Sequence, residues 1–340
     1  MRNNVLRSSV FAMSFLSSEE RVRHEAAAVL NQSTKKSRSL PFVSPVATKL
    51  TAVRFEPRRF SKPRALISHW NTYLDEAEDA GSPMVAFPEL TGLCALGLLP
   101  GANQVIAALQ DGLRDTDTLR DTALETVQTM QGFVGEFFLN AFSELARGHR
   151  MLLAAGGFYV VENGEILNRQ YLFSENGEVL THQDKLILSP LERAAGVRAC
   201  PAITPADTRI GRVALLTASC APHYEPFIAA SALGCRVVTA GASPFGEDTG
   251  LLRCRAQEQG LCVVSAGARG GQDFGLSLAT DPVIYAPRTP MRSTRDGIAP
   301  AGKTRTVTAR VDLSAEAPRF DRYTADRNDA FFAALLSDHK

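Results

Sequence analysis

The stretch Arg212–Pro226, RVALLTASCAPHYEP, decides how this chain is to be read. Arg212–Thr217 is a short apolar run of strand type, and Pro226 opens a helix that runs to Leu233 before Gly234 ends it. Cys220 therefore sits on a turn between strand and helix. Such a turn presents the sulfur outward and leaves backbone N–H groups free to bind an anion. A fold that repeats this strand-to-helix step is a layered α/β fold, and strand ends are where such folds build sites.

Two other stretches place a reactive side chain in the same kind of setting. VAFPELTG (Val85–Gly92) carries Glu89 just after a hydrophobic strand and a proline. THQDKLILSPLE (Thr181–Glu192) carries Lys185 at the end of a hairpin strand and Glu192 seven residues later. Taken singly, each has an ordinary reading. A carboxylate after a strand is usually solvated, a cysteine in apolar surroundings usually packs, and a lysine usually faces water. Their order and shared context carry the argument.

Working outward, Lys49–Phe55 reads as a strand. Arg64–Ala80 reads as an amphipathic helix with Leu66, Trp70, Tyr73, Leu74 and Ala77 on one stripe. Residues 103–147 are mostly helical in pattern. Strands are predicted at Met151–Ala155, Phe158–Glu162, Gln170–Ser174 and Glu178–Gln183, with hairpin turns at Asn163–Gly164 and Asn176–Gly177. Strand Arg236–Ala240, helix Gly250–Gly260 and strand Leu261–Ala266 follow, then strands near Leu276–Ala279 and Arg305–Asp312. Residues 1–45 read as an N-terminal extension, with a short helix over Glu19–Leu30 and a polar linker. Residues 46–315 form one domain and 316–340 a tail suited to oligomer contact.

Bulk properties exclude several classes. The 340 residues carry a net charge of +1, so nothing marks a nucleic-acid partner. No apolar run approaches a bilayer span. The six cysteines (94, 200, 220, 235, 254 and 262) form no C-x-x-C pair and no zinc-spaced cluster. They read as reduced thiols in a cytoplasmic protein, with Cys235, Cys254 and Cys262 at positions suited to small buried residues.

The order Glu89, Lys185, Cys220 resembles the nitrilase, or carbon–nitrogen hydrolase, superfamily. The likeness runs from about Lys49 to Leu313. It includes F-P-E-x-x-G at Phe87–Gly92, the hairpin residues Asn168 and Gly177, Glu192 after the lysine, and Leu233–Gly234–Cys235 after the nucleophile helix. RCRAQEQG (Arg253–Gly260) and the set Gly275, Ser277, Asp281 and Pro282 complete it. The resemblance implies a four-layer α-β-β-α sandwich that pairs into homodimers or higher homo-oligomers. It implies Cys220 as nucleophile, Glu89 as general base, Lys185 as oxyanion holder and Glu192 as its orienting partner. Ala221, through its N–H, His223 and Tyr224 are the expected residues beside the substrate. No metal and no cofactor is implied. The long spacing from Glu89 to Lys185 places an enlarged segment around 103–135.

Residue types state the chemistry. Amide carbonyls are poor electrophiles, and a thiolate that forms an acyl-enzyme divides one hard step into two. This sequence departs from the family pattern beside the active groups: Pro222 replaces an acid, and Asp184 a basic residue. The tryptophan-containing cysteine motif of true nitrilases is absent, so a small linear amide is the expected substrate rather than a nitrile. Acyl transfer through the same thioester, and a non-catalytic relative, are the alternatives. GIAPAGKT (Gly297–Thr304) matches a phosphate-loop pattern letter by letter, yet the strand-like RTVTARVDL follows it where a helix is required, so a loop leading into a strand is expected. GARGGQDFG (Gly267–Gly275) reads as a flexible loop near the site.

Overall fold

The central strands of this chain are apolar on both faces, and the layering follows from that. In β1 (Thr48–Phe55), Leu50 and Ala52 enter one buried cluster while Val53 and Phe55 enter another. The same division holds for β2 (Met84–Ala86) and β3 (Leu152–Glu162): Met84, Ala86, Leu152 and Ala154 join the first cluster, Val85, Leu153 and Ala155 the second. A sheet buried on both faces needs cover on both. The computed structural model describes residues 15–32, 41, 43–44, 47–99, 102–103, 116–242, 250–286, 297–298, 304–314 and 330.

The first sheet has the order β11 (Leu278–Thr280), β10 (Gly267–Gly270), β1, β2, β3, β4 (Glu165–Phe173), β5 (Val179–Asp184). β14 (Thr306–Val311) lies antiparallel to β1, with Thr51 opposite Thr308. The second sheet runs β13 (Gly297–Ile298), β12 (Val283–Tyr285), β9 (Cys262–Ser265), β8 (Cys235–Gly241), β7 (Gly211–Thr217), β6 (Ala206–Thr208). The sheets face one another through Leu50, Leu152, Val213, Leu215, Val237 and Val264. Helices α1 (Glu19–Leu30), α2 (Pro63–Asp79) and α3 (Thr116–His149) cover the first sheet. α5 (Glu225–Ala232) and α6 (Leu251–Gln259) cover the second with Phe227, Ala230, Leu252 and Ala256. A one-turn α4 (Pro190–Ala194) lies between β5 and β6. This is the four-layer α-β-β-α sandwich expected.

The predicted stripe of α2 is buried in full, and Trp70 packs on Phe142 of α3 with ring centroids 4.9 Å apart. Apart from Asn103, the described part of the 103–135 segment belongs to α3, a helix of 34 residues. α1, placed by sequence in an N-terminal extension, buries Val22, Ala26 and Val29 in the same core as α2 and α3. The α2 and α3 layer is also pinned by His149, whose Nδ1 lies 2.8 Å from Glu78 and whose Nε2 lies 2.8 Å from Asn71 Oδ1.

Several boundaries differ from the sequence reading. The two strands expected over 151–162 are one strand, β3, bent by a register shift between Ala154 and Gly157. Glycine is required there, since a Cβ on Gly157 would stand 1.6 Å from the Arg169 carbonyl oxygen. β4 starts at Glu165, five residues before the expected Gln170. The Asn163–Gly164 turn has positive φ at both residues (52° and 79°), the conformation that Asn-Gly favours in a two-residue hairpin. The 267–275 stretch is not a loop throughout: Gly267–Gly270 pairs with β1 and β11, and a short 3₁₀ turn spans Gln272–Phe274. Cys254 is exposed on α6, whereas Cys235 and Cys262 are buried as expected. Gly297–Ile298 is extended and pairs with β12, and β14 follows from Thr306. Lys303, most of the 31–39 linker and all of the 316–340 tail except Ala330 lie outside the described residues. Among the described residues, no helix is long and apolar enough to cross a membrane.

Candidate active site

β1, β2 and β3 run parallel, as do β7, β8 and β9. Two antiparallel steps return β5 to the direction of β3. Glu89 follows β2, Lys185 follows β5, and Cys220 follows β7, so all three leave the carboxyl ends of their strands. In open α/β sheets that is the edge at which ligands bind.

Backbone contacts bring these ends together. The Glu89 N–H donates to the Ala242 carbonyl at 3.2 Å, just beyond β8. A Cβ on Gly241 would lie 3.0 Å from the Glu89 nitrogen, so β8 approaches the Pro88–Glu89 backbone as closely as glycine permits. Gly241 is the register partner of Thr217, three residues before Cys220. Ser219 Oγ donates to the Ile187 carbonyl at 2.8 Å, fastening the Cys220 turn to the segment after Lys185. The turn after Glu89 is held in a costly conformation, with Leu90 at φ 58°. Thr91 Oγ1 braces it by donating to the Pro88 carbonyl at 2.7 Å.

The charged groups form one buried cluster. Lys185 Nζ lies 2.9 and 3.1 Å from the two carboxylate oxygens of Glu89 and 3.0 Å from Glu192 Oε2. All three side chains are withdrawn from solvent. Asn168 Nδ2 donates to Glu89 Oε1 and, at 2.9 Å, to Glu192 Oε1. Glu192 is held by a capping box: its Oε2 accepts from the Ser189 N–H at 2.8 Å, and Ser189 Oγ accepts from the Glu192 N–H at 3.2 Å. Tyr159 OH lies 3.4 Å from Glu192 Oε1.

These surroundings push the two carboxylates apart. Burial raises the Glu89 pKa; Lys185 opposes this, the Glu192 charge adds to it, and the net shift is upward. Glu192 is also buried, but Lys185, the Ser189 N–H and Asn168 together outweigh burial and hold it below its ordinary value. A pair so divided gives one group that takes up a proton more readily than an ordinary carboxylate and one that stays ionised. Glu89 is the first and Glu192 the second.

Cys220 and Ala221 are fully buried in one cluster with Leu216, Phe227 and Val238, and Leu186 and Ile187 pack against that cluster. The Ala221 N–H, expected beside the substrate, donates to the Ala218 carbonyl at 2.9 Å and closes the 3₁₀ turn Ala218–Cys220. His223 is exposed, and its N–H donates to the Cys220 carbonyl at 2.9 Å; Tyr224 is half-buried at the start of α5.

Three residues that the sequence reading did not place in the site belong to its frame. Asn168 bridges both carboxylates, and Tyr159 packs behind Glu192. Arg255 of α6 donates through Nε to the Ala221 carbonyl at 3.1 Å, bracing the loop after the cysteine. Asn168 and Arg255 fall within stretches that matched the family pattern; nothing in the sequence singled out Tyr159. Asp184, which stands where a basic residue is usual, forms a paired contact with Arg169 across the β4–β5 ladder at 2.7 and 3.0 Å. Its charge is thereby turned away from Lys185.

Asn168→Ala removes hydrogen bonds from the ionised forms of both carboxylates. Turnover is expected to drop about 10- to 100-fold, the worth of one hydrogen bond to a charged group. Because Asn168 lowers the Glu89 pKa, the acid limb of the pH–rate profile should move to higher pH. A purely structural role would leave that limb in place.

Residues 49–327 match the family model for carbon–nitrogen hydrolase. A probable hydrolase of Bacillus subtilis, YhcX, is 25% identical over 175 residues, covering 51% of this chain but only 30% of that protein. The NitFhit protein of C. elegans superposes with a TM-score of 0.60 at 16% identity, over 85% of this chain and 67% of that one. An amidase from Nesterenkonia sp. AN1, carrying the acetamide moiety of fluoroacetamide on its active-site cysteine, superposes with a TM-score of 0.56 at 17% identity, over 86% and 98% of the two chains. The solved structures share the fold, and the match across residues 49–327 places this chain in the carbon–nitrogen hydrolase family.

Proposed function

We propose that this carbon–nitrogen hydrolase cleaves a small linear amide through a thioester on Cys220. The observation that carries the reading is the buried cluster of Glu89, Lys185 and Glu192 at the strand ends beside the Cys220 turn. Glu89 takes the thiol proton as the sulfur attacks the amide carbon, and the carbonyl oxygen becomes an oxyanion against the Lys185 ammonium. As the tetrahedral intermediate collapses, the C–N bond breaks and Glu89 returns the proton to the departing amine. Water then attacks the thioester, giving its proton to Glu89; the acid leaves and Cys220 is restored with that proton. Lys185 keeps its charge throughout because Glu192 remains ionised beside it. The covalent adduct on the cysteine of the Nesterenkonia amidase, which shares the fold, supports this choice of nucleophile.

The test is a panel of small amides scored for released ammonia, followed by a pH profile on whichever is turned over. Glu89 must be deprotonated to accept the thiol proton. Activity should therefore fall as pH drops through a pKa above the ordinary carboxylate range. In Glu192→Gln the like charge that raises Glu89 is gone, so the limb should shift to lower pH. A limb unmoved by this change would assign the titration to another group. Hydroxamate formed on addition of hydroxylamine reports the acyl-enzyme, and product formed only with an added acceptor would identify an acyl transferase.

A further inference from the structure

A cavity of about 30 Å³ opens against Glu89 at the carboxyl ends of β1 and β10. Phe55 and Pro57 form one wall, Leu93 and Cys94 of the 3₁₀ turn Thr91–Leu98 a second, and Phe274, Leu276 and Leu278 a third. Apart from Glu89, the only titratable lining side chain among the described residues is Cys94, whose thiol is pushed up to about 12 by burial and so stays neutral. Among the described residues, no lysine, arginine or histidine lines it. The nearest arginines in sequence are engaged elsewhere: Arg58 with Glu56, and Arg59 through its guanidinium with Asn103.

We infer that this cavity receives the acyl chain of the substrate, and that the chain is short, aliphatic and uncharged. The inference rests on the amidase reading above and narrows it to a substrate class. In a primary amide the departing nitrogen carries only hydrogens, so the acyl substituent is the one group left to fill a cavity beside the base. An anionic chain would lose its hydration there and meet no cation among the described lining residues. A cationic one would find the Glu89 carboxylate already taken by Lys185. The volume suits about two or three carbon-sized groups, since one water-sized probe needs about 10–15 Å³.

The experiment compares acetamide, propionamide, butyramide and hexanamide with succinamate and glycinamide. Each methylene that fits should raise kcat/KM about fourfold. Hexanamide should fall away, and the two charged amides should be at least about 100-fold poorer than butyramide, reflecting an unpaired buried charge. Leu276→Ala and Leu93→Ala enlarge the cavity and should move the optimum to a longer chain. Equal turnover of charged and neutral amides, or an optimum unmoved in both variants, overturns the inference. Binding is read separately in Cys220→Ser: butyramide should raise Tm more than acetamide, succinamate should not raise it, and Leu276→Ala should reverse the order of the two neutral amides relative to hexanamide. Amides that bind in this order without being hydrolysed would sink the amidase reading and leave the cavity's preference standing. Turnover without regard to charge would do the opposite.

Discussion

Replacing Cys220 with alanine is expected to lower amide turnover by about 10⁴-fold or more while leaving the protein folded. The magnitude follows from removing the atom that forms the covalent bond; losses of this order or greater accompany deletion of a nucleophile in hydrolases that act through acyl-enzymes. The fold should survive because Cys220 is a small member of the buried cluster that includes Leu216, Phe227 and Val238, and alanine leaves only a sulfur-sized space. Two measurements check it together: ammonia release from the preferred amide, and the denaturant midpoint of the variant. Parental turnover in a pure, folded Cys220→Ala sample would end the thiol mechanism. The same substitution at Cys254, which is exposed on α6, serves as the control and should change neither quantity appreciably.

The second large effect is on stability. Lys185→Met keeps the length of the side chain and removes its charge, leaving Glu89 and Glu192 buried with no cation between them. Breaking one side of a buried ion pair costs about 3–5 kcal/mol, and here two carboxylates lose the same partner. Equilibrium unfolding in urea should register a loss of that order. Glu89 can relieve it in part by taking up a proton, so the deficit should shrink as pH falls. Adding Glu192→Gln to Lys185→Met should recover part of the loss, because it removes one of the two stranded charges. If the double variant were less stable than the single one by the full cost of Glu192→Gln alone, the three groups would not be coupled and the cluster would not act as a unit.

Local signals account for most of what was legible in the sequence. The α2 stripe was readable because Leu66, Trp70, Tyr73, Leu74 and Ala77 repeat at helical spacing, and the β3–β4 hairpin because Asn163–Gly164 accepts positive φ. Glu89, Lys185 and Cys220 could be ranked only jointly, since each has an ordinary residue's neighbourhood. The misreadings come from contacts made across long sequence distances. β3 was divided because Gly156–Gly157 looks like a break, whereas the glycines let the strand bend against the Arg169 carbonyl. The 267–275 stretch read as a loop because its glycines hide the pairing to β1, which lies more than 200 residues earlier. The donation of the Ala221 N–H to Ala218 has a local cause instead: a tight turn satisfies its own donors, and that choice is invisible in residue identity. The role of Asn168 depends on one amide reaching carboxylates from two distant segments, the turn after β2 and α4, which no spacing rule encodes.

The pairing of β14 with β1 also bears on how the chain assembles. Thr51 and Thr308, whose hydroxyls lie 2.6 Å apart, are separated by 257 positions. During synthesis, β1 and β2 emerge early, but one ladder of β1 stays vacant until almost the whole domain has been made. Contacts of such high sequence separation slow folding, and a vacant ladder is a template for pairing with other chains. The first strand must therefore wait for the last, and the nascent chain carries an exposed sheet edge for most of its time on the ribosome.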